Sequence, residues 1–288
     1  MKIGFHTDAF ISAAIGFSKC VEWAQRNDVH YIECGMLDGP SWIVGLGYFP
    51  HVPMHEDPLM LKTFMDKKGV KFSQIDAAYP LSGKDGPYVG VPYILKSLPW
   101  AKLAGCPNIA TTDGLHRPEG LTDEEALESM KRSYGAILEV AEVYGININI
   151  EIHGYFTTKP DMIERMLTFG GPRLGLNFDT GNSFISGQDP VEFCRRFLPR
   201  IHHVHIKDVS ESLARASRGG ETGIALSHCA IGDGVNAENI VEILKMLRDF
   251  GYTGALSMET EGGGGPLIEK SLHWLRSKLV ELGIPEEK

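Results

Sequence analysis

From end to end the chain alternates between short apolar or β-branched runs and longer amphipathic segments, a pattern that few folds accept. The runs are 1–6 (MKIGFH), 29–34 (VHYIEC), 70–78 (VKFSQIDAA), 107–112 (PNIATT), 146–154 (ININIEIHG), 173–181 (RLGLNFDTG), 200–209 (RIHHVHIKDV) and 254–262 (GALSMETEG). Helical patterns follow them at 17–26, 56–69, 92–104, 122–145, 160–169, 190–197, 237–250 and 266–282. Thr122 and Glu125 stand at capping-box spacing, and Gly145, Gly251 and Gly283 close three of the segments. Most of the short runs are continuously apolar, the mark of a parallel sheet buried on both faces. Eight such βα units in 288 residues predict an α/β chain folded as one (β/α)8 barrel domain over residues 1–288. The alternative, a doubly wound open sheet, is expected to carry G-x-G-x-x-G after its first strand, and none follows here. Stretches 38–53, 80–92 and 209–236 read as long loops.

Charge and cysteine usage narrow the function. A formal net charge of −9 is the wrong sign for a nucleic-acid surface, which needs a basic stripe to displace counterions. No apolar run approaches the length of a membrane span, and His6 and Asp8 interrupt the start where an export signal needs an apolar core. The five cysteines are odd in number and widely spaced, with no C-x-x-C, so they predict reduced thiols in a cytoplasmic protein.

In a barrel of this kind the chemistry sits at the C-terminal ends of the strands, so polar residues there carry the information. The fifth run ends with Glu151 and His153, the sixth with Asp179, the seventh with His203, His205 and Lys207, and the eighth with Glu259 and Glu261. The first and second end at His6 and Glu33. Side chains alternate along a strand, so His203, His205 and Lys207 share one face. Buried carboxylates repel one another unless a cation joins them. Glu151, Asp179 and Glu259, with the His205 imidazole, therefore predict a site for one divalent metal ion. Oxygen-rich ligation favours manganese, magnesium or cobalt, and a His among four ligands also permits zinc. Taken alone, Asp179 before Thr-Gly-Asn reads as a helix N-cap or turn former; four such residues at four strand ends favour the ion.

With those residues in place, the pattern resembles the xylose isomerase-like TIM-barrel superfamily: Glu on the fifth strand, D-T-G on the sixth, H-x-H on the seventh and Glu on the eighth. Stretches 178–209 and 251–262 carry the likeness most specifically. The resemblance implies Glu151, Asp179, His205 and Glu259 as metal ligands, with Glu151 and Glu259 also the acid–base pair. It implies an isomerase or epimerase of a monosaccharide, keto-sugar or cyclitol working through a metal-stabilised enediolate. The alternative is a water-eliminating lyase like inosose dehydratase, built on the same site, and the HVHIKD run leans that way. Asn182 stands where many relatives have His, and Glu211 where ketose 3-epimerases have Arg, which weakens the link to free ketoses. His6, His153, Asn182 and Lys207 are expected to hydrogen-bond substrate oxygens. Trp42, Tyr48 and Phe49 are candidates for stacking on a sugar face. The 209–236 loop is expected to be a lid or the contact of a homo-oligomer. GGGGP (262–266), Arg215 and Arg218 are weaker candidates for holding a phosphate.

Overall fold

The computed structural model describes residues 1–13, 15–37, 52–262 and 264–288. Its strands are β1 (Lys2–His6), β2 (Tyr31–Leu37), β3 (Val52–Pro53), β4 (Lys71–Pro80), β5 (Asn108–Thr112), β6 (Asn147–Glu151), β7 (Leu174–Asp179), β8 (Ile201–Ile206) and β9 (Ala255–Met258). Every pairing is parallel, in the order β1-β2-β4-β5-β6-β7-β8-β9, and β9 pairs back onto β1. The eight long strands thus close on themselves, the predicted (β/α)8 barrel. The two-residue β3 adds to β2 beside Met36 and Leu37 and lies outside the closed cycle.

Helices cover the outside. Asp57 caps the helix Pro58–Lys67 through the backbone N–H groups of Leu59 and Met60. The long helix Asp123–Tyr144 opens on the full Thr122/Glu125 capping box and ends at Gly145, whose φ of 69° suits a residue without a side chain. Between barrel wall and helices the core is aromatic in places: Phe5, Phe10 and Trp23 meet edge to face, and Phe178 stacks on Phe193. Burying each such side chain contributes about 1.5–3 kcal/mol.

Several expected boundaries shift, and the shifts matter for the site. The strand expected over 173–181 stops at Asp179, and a helix, Thr180–Ile185, starts at once. The strand expected over 254–262 is only Ala255–Met258, so Glu259 and Glu261 lie just past it. The stretch 209–236 is not all loop, since it contains the helix Glu211–Ser217. In 80–92 a helical turn, Gly86–Gly90, runs directly into the helix Val91–Ala104. Trp42, Tyr48 and Phe49 lie outside the described residues, as does most of the 38–53 stretch.

The interior is also more polar than continuous apolar strands suggest. Gln74 donates to Glu33 Oε1 at 2.6 Å, Asn149 donates to Gln74 Oε1 at 2.7 Å, and His203 Nδ1 lies 2.8 Å from Asn177 Oδ1. A register shift between β7 and β8 inserts His202 as an extra residue. Its imidazole occupies space that a side chain at position 175 would need, with Cε1 2.3 Å from where a Cβ would be, and that residue is Gly175. No helix among the described residues is long and apolar enough to cross a membrane.

Candidate metal centre and active site

Four ligand atoms, one each from Glu151, Asp179, His205 and Glu259, lie within 4.8 Å of one another, and all four residues are buried. The strand ends bring them together. Asp179 is registered opposite His205 across β7 and β8, and Glu151 opposite Asn177 across β6 and β7, while Glu259 follows β9 next to β8. His205 is the hub. Its Nδ1 stands 3.3 Å from Glu151 Oε1, 3.5 Å from Glu259 Oε2 and 3.9 Å from Asp179 Oδ2.

Asp179 resolves two readings that compete in the sequence. Its Oδ1 accepts from the backbone N–H groups of Gly181 and Asn182 at 2.7 and 2.9 Å, a helix N-cap. Its Oδ2, buried and without a hydrogen-bond partner, faces the cluster. One oxygen caps the helix and the other is left turned to the cluster. Glu259 Oε2 likewise accepts no hydrogen bond, although Lys207 Nζ and His205 Nδ1 stand 3.4 and 3.5 Å from it. A buried carboxylate oxygen without a hydrogen-bond donor is costly, so Asp179 Oδ2 above all, together with the mixed oxygen–imidazole donor set, fits a divalent ion.

The electrostatics follow from proximity. Burial pushes the Asp179 carboxyl well above the usual range, and the Glu259 carboxylate adds to the effect. Burial would raise Glu151 too, but His153 and His205 outweigh it and hold the carboxyl well below its ordinary value. For Glu259 burial is likewise outweighed, by Lys207 and His205. Burial alone would lower His205; the Glu33, Glu259 and Glu151 carboxylates lift it well above an ordinary histidine.

Glu33 stood in the sequence only as a polar residue ending a strand, with no assigned role. In the structure its Oε2 lies 2.7 Å from His205 Nε2, on the far side of the ring from the three carboxylates. A carboxylate behind a ligating imidazole fixes the ring and sharpens the basicity of the other nitrogen. Glu33→Gln is expected to weaken divalent-metal binding by about 10- to 100-fold with little change in folding. Competition with a fluorescent chelator measures this, and unchanged affinity would remove Glu33 from the site. The available signal was a Glu inside an apolar strand, VHYIEC, which needs a partner if buried.

The four residues expected to meet substrate all surround the cluster, but they differ in what else they touch. Lys207 Nζ is ion-paired with Glu261 and lies 3.4 Å from Glu259 Oε2. His153 Nε2 is 3.1 Å from Glu151 Oε1, and His6 Nδ1 is 3.0 Å from Asp8 Oδ1. Asn182 is 1% exposed, and neither its amide oxygen nor its nitrogen has a partner. Two neighbours add to the set. Asp8 is buried beside His6, and Asp76, on β4, is pushed up to about 7 by burial and the Glu151 carboxylate.

The 209–236 stretch is tied down over one side of the mouth. Asp208 accepts from the backbone N–H groups of Val209, Gly232, Gly234 and Asn236 at 2.8–3.0 Å. Glu261 Oε2 accepts from Ser227 N at 2.7 Å, and Gly223 N donates to His153 O at 2.9 Å. These bonds hold the stretch against the strand ends at its two ends and at Gly223 and Ser227. Several of the phosphate candidates have partners within the chain. Arg218 donates to the carbonyls of Phe184, Gly187 and Gln188, and Arg215 pairs with Glu211. Gly262 N and Gly264 N donate to the carbonyls of Asp8 and Ala9.

Residues 21–278 match the family model described as a xylose isomerase-like TIM barrel. The chain belongs to that family. Among characterised relatives, the rhizopine catabolism protein MocC of Rhizobium meliloti is 31% identical over 156 residues, 52% of this chain and 48% of that protein. Inosose dehydratase of Klebsiella pneumoniae is 27% identical over 227 residues, 71% of this chain and 74% of that enzyme. The chain therefore spans about half the length of the first relative and three quarters of the second. A D-tagatose 3-epimerase-like protein superposes with a TM-score of 0.77 at 20% identity, covering 98% of both chains. The IolI protein, solved with a bound zinc atom, superposes at 0.73 with 15% identity, over 98% of both chains. These two show a shared fold.

Proposed function

We propose that this member of the family is a divalent-metal-dependent isomerase or epimerase of a monosaccharide, keto-sugar or cyclitol. The observation that carries it is the cluster itself: three carboxylates and one imidazole converging from separate strands, with two carboxylate oxygens that accept no hydrogen bond. Glu151, Asp179, His205 and Glu259 would hold the ion. When bound, it supplies Lewis acidity to a carbonyl oxygen and makes the neighbouring C–H acidic.

The side chains do the rest. Glu151 and Glu259 approach the centre from strands three apart in the barrel, on two sides of His205. Glu151, held ionised by His153 and His205, is poised to take a proton from carbon. Glu259, also held ionised by Lys207 and His205, would return a proton from the other side after taking one up from the Lys207 ammonium beside it. Return to the opposite face of the same carbon is epimerisation; return to the adjacent carbon is isomerisation.

A second reading, a lyase that eliminates water, is favoured by the 27% identity to inosose dehydratase and by the same metal cluster. Incubating the metal-loaded protein with keto-sugars and inososes in D2O separates the two. Carbon-bound deuterium with no loss of water supports isomerase or epimerase. Loss of water with an ultraviolet-absorbing product supports the lyase, and neither outcome with any member sinks both. The likeness to the zinc-bearing structure makes zinc a metal to test beside manganese, magnesium and cobalt.

Ion uptake is expected to release protons. His205 sits well above its ordinary pKa, so its imidazolium must give up a proton to bind an ion, and the raised Asp179 carboxyl shifts the release in the same direction. Apparent affinity therefore rises with pH. Calorimetry in two buffers of different ionisation enthalpy should give different apparent binding enthalpies, and identical values would contradict the assignment.

A further inference from the structure

The inside of a (β/α)8 barrel is ordinarily filled by layers of branched apolar side chains. Beneath the metal cluster this barrel carries amides and imidazoles instead: Gln74 on β4, Asn149 on β6, Asn177 on β7 and His203 on β8, all buried. Such groups cost stability unless they are hydrogen-bonded, and several are joined in one line. His202 Nδ1 lies 2.9 Å from Asn149 Oδ1, and Asn149 Nδ2 donates to Gln74 Oε1 at 2.7 Å. Gln74 Nε2 donates to Glu33 Oε1 at 2.6 Å, and Glu33 Oε2 stands 2.7 Å from His205 Nε2. The line thus runs from near the start of β8 up to the metal cluster.

Its charged end gives the line a direction. With Nδ1 turned to the cluster, His205 donates from Nε2 to Glu33 Oε2. A carboxylate only accepts, so Gln74 must present its NH2 group to Glu33 Oε1. The Gln74 carbonyl then faces Asn149, which must present its own NH2 group in turn. Turning either amide over would set oxygen against oxygen at hydrogen-bond distance. Glu33 is therefore gripped from below, in one orientation, by an amide that is itself held. Gln74 Nε2 also stands 3.3 Å from His203 Nδ1, and Asn177 Nδ2 stands 3.2–3.3 Å from both nitrogens of the His205 ring.

Building on the metal-dependent reading above, we propose that Gln74 and Asn149 are positioning residues for the metal centre: they fix the Glu33 carboxylate, which fixes the ring of the ligand His205. Neither belongs to the four-residue cluster. Their influence on the ion travels through Glu33, so it vanishes when Glu33 no longer carries it. A natural comparison lies on the same strand. Asn147, two residues before Asn149 and on the same face of β6, donates to Asn108 Oδ1 at 3.1 Å, and its side chain takes no part in the line. It is an amide of the same kind without the connection.

The test reads zinc and manganese affinity by competition with a fluorescent chelator, and no reaction is monitored. Gln74→Met keeps the length of the side chain and removes the donor to Glu33. It should weaken both ions by about three- to tenfold, less than the loss expected for Glu33→Gln. In a Glu33→Gln background the same substitution should change affinity by less than about twofold, because its route is already cut. Asn149→Leu should weaken the ions by roughly threefold, and Asn147→Ala by less than about twofold. Unchanged affinity in Gln74→Met, a loss that adds in full to that of Glu33→Gln, or an equal loss in Asn147→Ala overturns the proposal. An unchanged Asn149→Leu removes Asn149 from it. Should Gln74→Met not fold, the parent protein carries the test by NMR. Zinc should then shift the side-chain amide signals of Gln74 and Asn149 and leave that of Asn147 in place, and an unmoved Gln74 signal overturns the role. A parent that takes up neither ion sinks the metal reading itself, whereas a parent that binds both as tightly as Gln74→Met sinks the positioning role alone.

Discussion

Glu151→Gln is expected to lower turnover by about 10²- to 10⁴-fold, with the fold unchanged and metal binding reduced but not lost. The amide has nearly the shape of the carboxylate and keeps an oxygen near His205, so the pocket geometry survives. What disappears is the base. Glu151 is held ionised at neutral pH by His153 and His205 in spite of its burial, and no amide can accept a proton from carbon. The measurement is carbon-bound deuterium uptake in D2O at saturating metal, beside metal content by elemental analysis. Saturation separates the two losses, since weaker metal binding is restored by more metal and a missing base is not. Full exchange activity in the variant would refute the role.

Asp179→Asn separates a different pair of roles. Asparagine caps helices about as well as aspartate, so the bonds to Gly181 N and Asn182 N persist and Thr180–Ile185 keeps its start. The anionic Oδ2 facing the cluster is replaced by a neutral group, and divalent-metal affinity should fall by about 100-fold or more. Stability moves the other way. The Asp179 carboxyl is raised well above its unfolded value by burial and Glu259, so its ionised form works against folding. That cost appears as pH rises above the unfolded pKa, grows through the interval up to the folded value, and is fully present beyond it. The metal-free variant should therefore melt higher than the metal-free parent near and above neutral pH, with the difference shrinking in acid. Metal should reverse the order by stabilising the parent more. Thermal melts with chelator and with manganese, across several pH values, decide it. A variant that melts lower without metal would show that the aspartate is not strained in the empty cluster.

Much of the barrel was legible because its signals are local. Runs such as ININI and the capping box at Thr122 and Glu125 specify strand and helix over a few residues, and their strict alternation leaves few architectures. The convergence of Glu151, Asp179, His205 and Glu259 was legible too, since in a parallel barrel every strand delivers its last residues to the same mouth. Boundaries were less so. The strand expected to run to Gly181 ends at Asp179 because the helix that Asp179 caps competes for the same backbone.

What the sequence determined by itself was the alternation of elements and the identity of the side chains each strand carries to the mouth. Partnership was decided only by the folded chain. Whether Glu33 stands behind His205, whether Lys207 meets Glu261, and whether Asp208 gathers four backbone N–H groups from a loop up to 28 residues away depends on strand stagger and loop path. Those are set by packing of the whole closed sheet, because the position of each strand is fixed by its neighbours on both sides and no local run of residues encodes it.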